Sequence, residues 1–169
     1  AVEYKPHKNK YCIAVGRFIA LKKYDLLIKT WTKIDKNEKL LIIGGGEERS
    51  HYEQLIESFE LNNIILINYM PKQELFEYYK GADLFIHPTS YDVWGLVINE
   101  AMACGLPVIT TDKCVAGLEL IENGINGYIV PVGDDVILAD RINKVLEDDE
   151  LRKRMAENNL AKIREYTIE

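Results

Sequence analysis

Short, wholly apolar runs alternate with segments of helical period along the chain. The first run, Tyr11-Cys12-Ile13-Ala14-Val15, precedes Tyr24, Leu27, Ile28, Trp31 and Ile34, spaced three or four apart as on one helix face. Leu40-Leu41-Ile42-Ile43 is a second run, stopped by Gly44-Gly45-Gly46, and Tyr52, Leu55, Ile56 and Phe59 make a second inward stripe. Apolar runs at residues 64–67, 83–87, 107–110 and 128–130 predict four more strands. Between them the pattern predicts a short helix over 73–80, just after Pro71, a helix over 95–104 and another near 117–122. Two helices close the chain, with Leu138, Ile142, Val145 and Leu146 inward on one and Leu151, Met155, Leu160 and Ile163 on the other.

Strands this apolar suit a sheet covered on both faces, and strands alternating with helices imply that it is parallel. Right-handed crossovers then give an α/β fold with a doubly wound, Rossmann-like parallel sheet. No repeat, low-complexity tract or linker divides the sequence, and 169 residues fit a single domain spanning 1–169.

Composition narrows the function. A net charge of -6 and a pI near 5.2 argue against a general nucleic-acid binder, which needs clustered Lys and Arg. A local basic site for one small phosphate needs only two or three cations and stays open. Cys12, Cys104 and Cys114 are odd in number and lack C-x-x-C spacing. Cys12 and Cys104 read as small core residues, and a reducing, cytoplasmic compartment is expected. No apolar run is long enough to span a bilayer, and Ala1 does not begin a signal peptide.

In a doubly wound sheet, ligands bind beyond the carboxyl ends of the strands where strand order reverses, commonly between strands one and four. Gly16-Arg17 leaves strand one, and His87-Pro88-Thr89-Ser90-Tyr91-Asp92 leaves strand four, so the two segments should share one crevice. Arg17 can fork phosphate oxygens, and Lys22 or Lys23 can add a compact second charge. The alternative is a set of solvated surface cations, although cations at a helix start sit poorly with the dipole unless an anion is near. Asp92 lies in the second loop, as a site residue or simply as a helix-start residue, and Gly95, Leu96 and Val97 should open a helix with free N–H groups suited to an anion. Glu100, one to two turns in, can accept hydrogen bonds from two ribose hydroxyls, or it is an exposed helix acid. Ala101 and Ala103 should let this helix press close to the sheet.

Other motifs point less clearly. Gly44-Gly45-Gly46 sits between a strand and a helix, but Arg49 stands where a dinucleotide loop needs its third glycine. His7, His51 and His87 show no metal-ligand spacing; His87 reads as a polar crevice liner or a satisfied structural histidine.

These pieces in order resemble the family-4 retaining glycosyltransferases, also called glycosyltransferase group 1, of GT-B fold. The resemblance rests on Val15-Gly16-Arg17-Phe18 with Lys22, the Ile43-Gly44-Gly45-Gly46 turn, Ala82 through Ser90, and Trp94-Gly95-Leu96-Val97-Ile98-Asn99-Glu100-Ala101-Met102-Ala103-Cys104-Gly105-Leu106-Pro107-Val108-Ile109. Glu119 and Gly124-x-x-Gly127 complete it. The resemblance implies the C-terminal, donor-binding half of a GT-B enzyme, moving a hexose such as mannose from a GDP- or UDP-sugar to a polysaccharide or glycolipid acceptor.

By the same resemblance, Arg17 and Lys22 hold the donor diphosphate, with Lys23 second to Lys22 because the family often has glycine there. The backbone at Gly16, Gly95, Leu96 and Val97 meets phosphate or sugar, Glu100 binds the ribose, and Tyr69 and Met70 flank the base. The family carries two glutamates eight positions apart; here the first is Asp92, one methylene shorter, expected at the donor sugar. No metal or other cofactor is implied. The expected partner is an N-terminal GT-B domain of the full-length protein, through which any peripheral membrane contact would be made. Without that domain the fragment should be inactive. A non-catalytic sugar-nucleotide-binding module is the alternative, and a GT-B epimerase fits the segment from Asp92 to Glu100 less well.

Overall fold

The computed structural model describes residues 11–93 and 96–167. Its six strands are β1 (Tyr11–Val15), β2 (Lys39–Ile43), β3 (Ile64–Ile67), β4 (Leu84–His87), β5 (Val108–Thr111) and β6 (Gly127–Val130). They lie in the order β3-β2-β1-β4-β5-β6, and every neighbouring pair is parallel. The chain builds outward from β1 to one edge, returns to the centre at β4 and builds to the other. Strand order therefore reverses between β1 and β4, as expected for a doubly wound Rossmann-like sheet.

Among the described residues seven α-helices cover the sheet: α1 (Tyr24–Thr30), α2 (Arg49–Ser58), α3 (Lys72–Gly81), α4 (Leu96–Ala103), α5 (Val115–Leu120), α6 (Asp135–Glu147) and α7 (Asp149–Thr167). The two-residue period of β1 divides the core. Cys12 and Ala14 face Leu27, Ile28 and Trp31 with Leu138 and Ile142, whereas Ile13 and Val15 face Leu75, Tyr79, Ile98 and Met102. All five residues of β1 and all four of β4 are buried, so the central strands are apolar on both faces.

Polar side chains fix the ends of the late helices. Asp134 caps α6 by accepting from the Ile137 amide at 3.0 Å. Buried Arg152 donates to the Val145 and Leu146 carbonyls at 2.9 and 2.6 Å, satisfying acceptors that the last turn of α6 leaves unpaired, and it pairs with Asp149. Asn159 of α7 donates to the carbonyls of Leu106 and Asn126, which docks this helix beside the start of β5.

Several expectations need correction. The first helix stops at Thr30, and a 3-10 turn over Trp31–Lys33 carries Trp31 into the core, where its indole N–H bonds the Glu38 carbonyl. Phe59 lies past the end of α2 and is 39% exposed, so only Tyr52 of that stripe is fully buried, with Leu55 and Ile56 packed beside it. Ala103 is exposed; the close fit of α4 to the core rests on Ala101, together with Ile98 and Met102. The short helix near 117–122 begins earlier, at Val115, and ends at Leu120. The expected helix start at Gly95 falls outside the described residues, as does His7. All three cysteines are buried and free. Among the described residues no helix is long and apolar enough to cross a membrane.

Candidate functional site

The loops leaving the central strands form one connected rim at the carboxyl end of the sheet. The Ser90 amide and hydroxyl both donate to the Leu21 carbonyl, at 2.9 and 2.8 Å, joining the exits of β1 and β4. On one side Gly16 N–H bonds Ile43 O at 3.0 Å and Phe18 N–H bonds Gly45 O at 2.8 Å. On the other, Asp92 N–H bonds Lys113 O and Val115 N–H bonds Asp92 O. Gly44 is required by this closeness, because a Cβ there would lie 1.8 Å from Gly16 O. Gly44, and Gly46 whose Cβ would lie 2.7 Å from Phe18 O, therefore serve close backbone contact between the loops after β1 and β2.

Across the point where strand order reverses, Lys22 and Asp92 meet. Lys22 Nζ lies 3.0 Å from Asp92 Oδ2, and the two side chains are 17% and 18% exposed. The same oxygen lies 2.9 Å from Nε2 of His87, which is 1% exposed. The His87 hydrogen bond, then Lys22, hold the Asp92 carboxyl down at about 2 against the opposing effect of burial. Burial pushes the His87 imidazole below its ordinary value and outweighs the opposite pull of Asp92. A neutral imidazole beside an ionised carboxylate carries its proton on Nε2, since Asp92 can only accept.

Glu100 occupies a second position on α4. Its side chain is 16% exposed, with Lys72 Nζ 2.9 Å from Oε2 and the Tyr79 hydroxyl donating to Oε1 at 3.5 Å. It is therefore held by two partners instead of standing free as a surface acid. Burial, then Glu100, push the Tyr79 phenol up. Arg17 is exposed and close enough to Tyr69 for its charge to lower that phenol against the larger raising effect of burial. The Tyr69 ring stands 3.8 Å from where a Cβ on Gly45 would be. Met70 packs half-buried against the core on the side of α3 and α4, as does Val97, and Leu96 is exposed at the start of α4. Gly16 lies over the buried Tyr24 hydroxyl. Gly95 and Trp94 lie outside the described residues.

The two lysines diverge. Lys23 adopts a left-handed conformation (φ 62°) and lines a groove of about 320 Å³ with Asp25, Lys29, His51 and Phe59, whereas Lys22 turns to Asp92. No hydrogen bond or ion pair among the described residues joins Glu100 to Arg17, Lys22 or Asp92. The partners His87 offers Asp92, and Lys72 offers Glu100, were not foreseen as such. Lys72 stands at the first position of α3, where a cation is poorly placed unless an acid is near, so the reasoning applied to Lys22 would have singled it out. Among the described residues no three His, Cys, Asp or Glu side chains gather closely enough to hold a metal ion.

The architecture is the Rossmann-like α/β fold of GT-B glycosyltransferases. The chain belongs to the family of glycosyl transferases group 1, whose model matches residues 1–162. Over 153 residues it is 33% identical to the N-acetyl-alpha-D-glucosaminyl L-malate synthase of Bacillus anthracis, covering 88% of this chain and 39% of that protein. It is 30% identical over 171 residues to the capsular polysaccharide biosynthesis glycosyltransferase CapM of Staphylococcus aureus, covering 96% and 44% respectively. The chain thus spans less than half the length of these curated relatives. Among solved structures, TarM of S. aureus shares the fold with a TM-score of 0.91 at 24% identity, over 98% of this chain and 34% of that one. Anabaena HepE in complex with UDP-glucose gives 0.85 at 25% identity, over 93% and 44%.

Proposed function

We propose that this chain is the donor-binding domain of a retaining glycosyltransferase that moves a hexose from a nucleoside diphosphate sugar to a polysaccharide or glycolipid acceptor. The observation that carries the reading is the meeting of Lys22 and Asp92 at 3.0 Å across the reversal point, where this fold class takes its ligands. Arg17 and Lys22 receive the diphosphate and offset the charge that gathers on the departing nucleotide. Leu96 and Val97 offer amide N–H groups, a role Gly95 shares by resemblance. Glu100 takes the ribose hydroxyls, Tyr69 and Met70 flank the base, and Asp92 faces the donor sugar. In this reading the cations do the charge work without a metal.

HepE with UDP-glucose supports a UDP-sugar as the first donor to test, with GDP-mannose second. The acceptor site is assigned to an N-terminal GT-B domain of the full-length protein, a division that fits the share of its relatives this chain covers. On its own the chain should bind donor and transfer nothing; turnover by the chain alone would overthrow that division.

The test is calorimetry with UDP, GDP, ADP and their sugars. Glu100→Ala and Arg17→Ala should each weaken the best nucleotide by ~1–3 kcal/mol, the worth of hydrogen bonds to charged groups. Unchanged affinity in both variants would refute these assignments.

A further inference from the structure

His87 has an unusual environment for a core residue. It ends β4 at 1% exposure, its ring stacked on Phe85 with centroids 6.1 Å apart. Its backbone carbonyl accepts from the Thr110 hydroxyl at 2.8 Å. Nε2 reaches Asp92, but Nδ1 is buried with no hydrogen-bond partner among the described residues. Burying an unpaired ring nitrogen costs free energy that a phenylalanine or leucine in the same space would not. What the imidazole supplies in return is a single N–H directed at one carboxylate.

That N–H and the Lys22 ammonium converge on the same atom. Asp92 Oδ2 takes both, while Oδ1 accepts from nothing among the described residues, and 18% of the side chain is open to solvent. Placing both donors on one oxygen leaves the other available to a ligand. Lys22 alone cannot secure this arrangement, because its flexible stem lets the ammonium follow a stronger anion. The His87 ring is locked by packing and stays.

We propose that His87 is a positioning residue whose Nε2–H anchors Asp92, so that Oδ1 remains presented to a hydroxyl of the donor sugar when Lys22 turns to the diphosphate. This rests on the sugar-nucleotide reading above and divides recognition within it. Arg17 and Lys22 read the diphosphate, the histidine-held carboxylate reads the sugar, and His87 itself touches no part of the donor.

The experiment compares UDP with UDP-glucose, and GDP with GDP-mannose, by calorimetry on the full chain and on His87→Phe and His87→Gln. Glutamine keeps an N–H near the position of Nε2; phenylalanine keeps only the ring. The unsubstituted chain should bind one sugar nucleotide more tightly than its free nucleotide. His87→Phe should lose about tenfold of that advantage, the scale of a charged hydrogen bond, with nucleotide affinity nearly unchanged, and His87→Gln should retain most of it.

The proposal is overturned if His87→Phe keeps the advantage, if it loses nucleotide and sugar nucleotide equally, or if the unsubstituted chain shows no advantage. Failure of the unsubstituted chain to bind any of the four compounds is a different result, which defeats the sugar-nucleotide reading itself. Should His87→Phe not fold, long-range 1H–15N spectra of the unsubstituted chain decide. A ring protonated at Nε2 before and after UDP-glucose, with the Lys22 ammonium signal shifting, supports the proposal; a ring protonated at Nδ1 overturns it.

Discussion

Replacing Gly44 with alanine tests whether the rim of the site is built by direct backbone contact. The new Cβ would lie 1.8 Å from Gly16 O and 3.0 Å from Phe18 Cε1. The first neighbour is backbone and cannot swing aside, so the loops after β1 and β2 must separate by more than 1 Å to relieve the overlap. That separation strains the bonds from Gly16 N–H to Ile43 O and from Phe18 N–H to Gly45 O. Two hydrogen bonds at about 1 kcal/mol each, with an overpacking cost of ~1–3 kcal/mol, give a loss of ~3–5 kcal/mol. For a chain of this size that is a fall in melting temperature on the order of 10 °C. Gly45→Ala is the internal control. Its Cβ would meet only the Tyr69 ring, at 3.8 Å, and Gly45 is not among the residues of positive φ. Restricting the unfolded chain there should leave stability within about 1 kcal/mol of the parent. Urea denaturation of the pair reads both values. A Gly44→Ala midpoint equal to that of Gly45→Ala would show that the loops are not in contact as described. Nucleotide affinity should fall along with stability in Gly44→Ala, because Arg17 sits on the displaced loop.

Acid should destabilise the chain in two stages. The folded state disfavours protonated His87, so stability held above pH ~6.5 declines as pH falls toward the lowered folded value; Asp92 follows, its contribution present above pH ~4 and lost through about 2. Urea midpoints against pH should show the upper stage vanish in His87→Gln, and its persistence there would place the titration elsewhere. Arg152→Met should cost ~2–4 kcal/mol by stranding the Val145 and Leu146 carbonyls, measurable by the same denaturation; a change under about 1 kcal/mol would mean water replaces the guanidinium. Cys12 and Cys114, fully buried, should resist a thiol reagent in the native state and react on unfolding; burial also pushes the Cys12 thiol up. Rapid native labelling of either would contradict their placement.

The strands were legible because their signal is local. Residues 64–67 were predicted and observed alike, and β1 matches at both ends, since a continuous apolar run stands out between turn residues whether both faces are buried, as in β1, or not, as in β3. Helix ends were harder to read. Trp31 and Ile34 continue the stripe of α1 although the helix stops at Thr30, because a 3-10 turn can keep an apolar residue facing the core. At the site, alternating strands and helices were enough to bring the Lys22 and Asp92 loops together. Which partner each charge takes is a matter of side-chain reach across loops 70 residues apart, and no periodicity encodes it. Hence Lys22 and Lys23 could be ranked only by resemblance, whereas the left-handed backbone at Lys23 sends the two side chains apart. The glycine triplet was ambiguous for a similar reason, since its neighbour Gly16 lies in another loop.

The tie between Ser90 and the Leu21 carbonyl joins the two walls of the crevice into one piece. A molecule entering between them meets this tie already made, and the long side chains of Arg17, Lys22 and Lys72 are the groups best able to adjust to it. Little conformational freedom is then surrendered on capture, and affinity reports how well the guest fits. By the same token, damage at Ser90 would be felt across the gap beside Lys22, on a segment far from it in sequence.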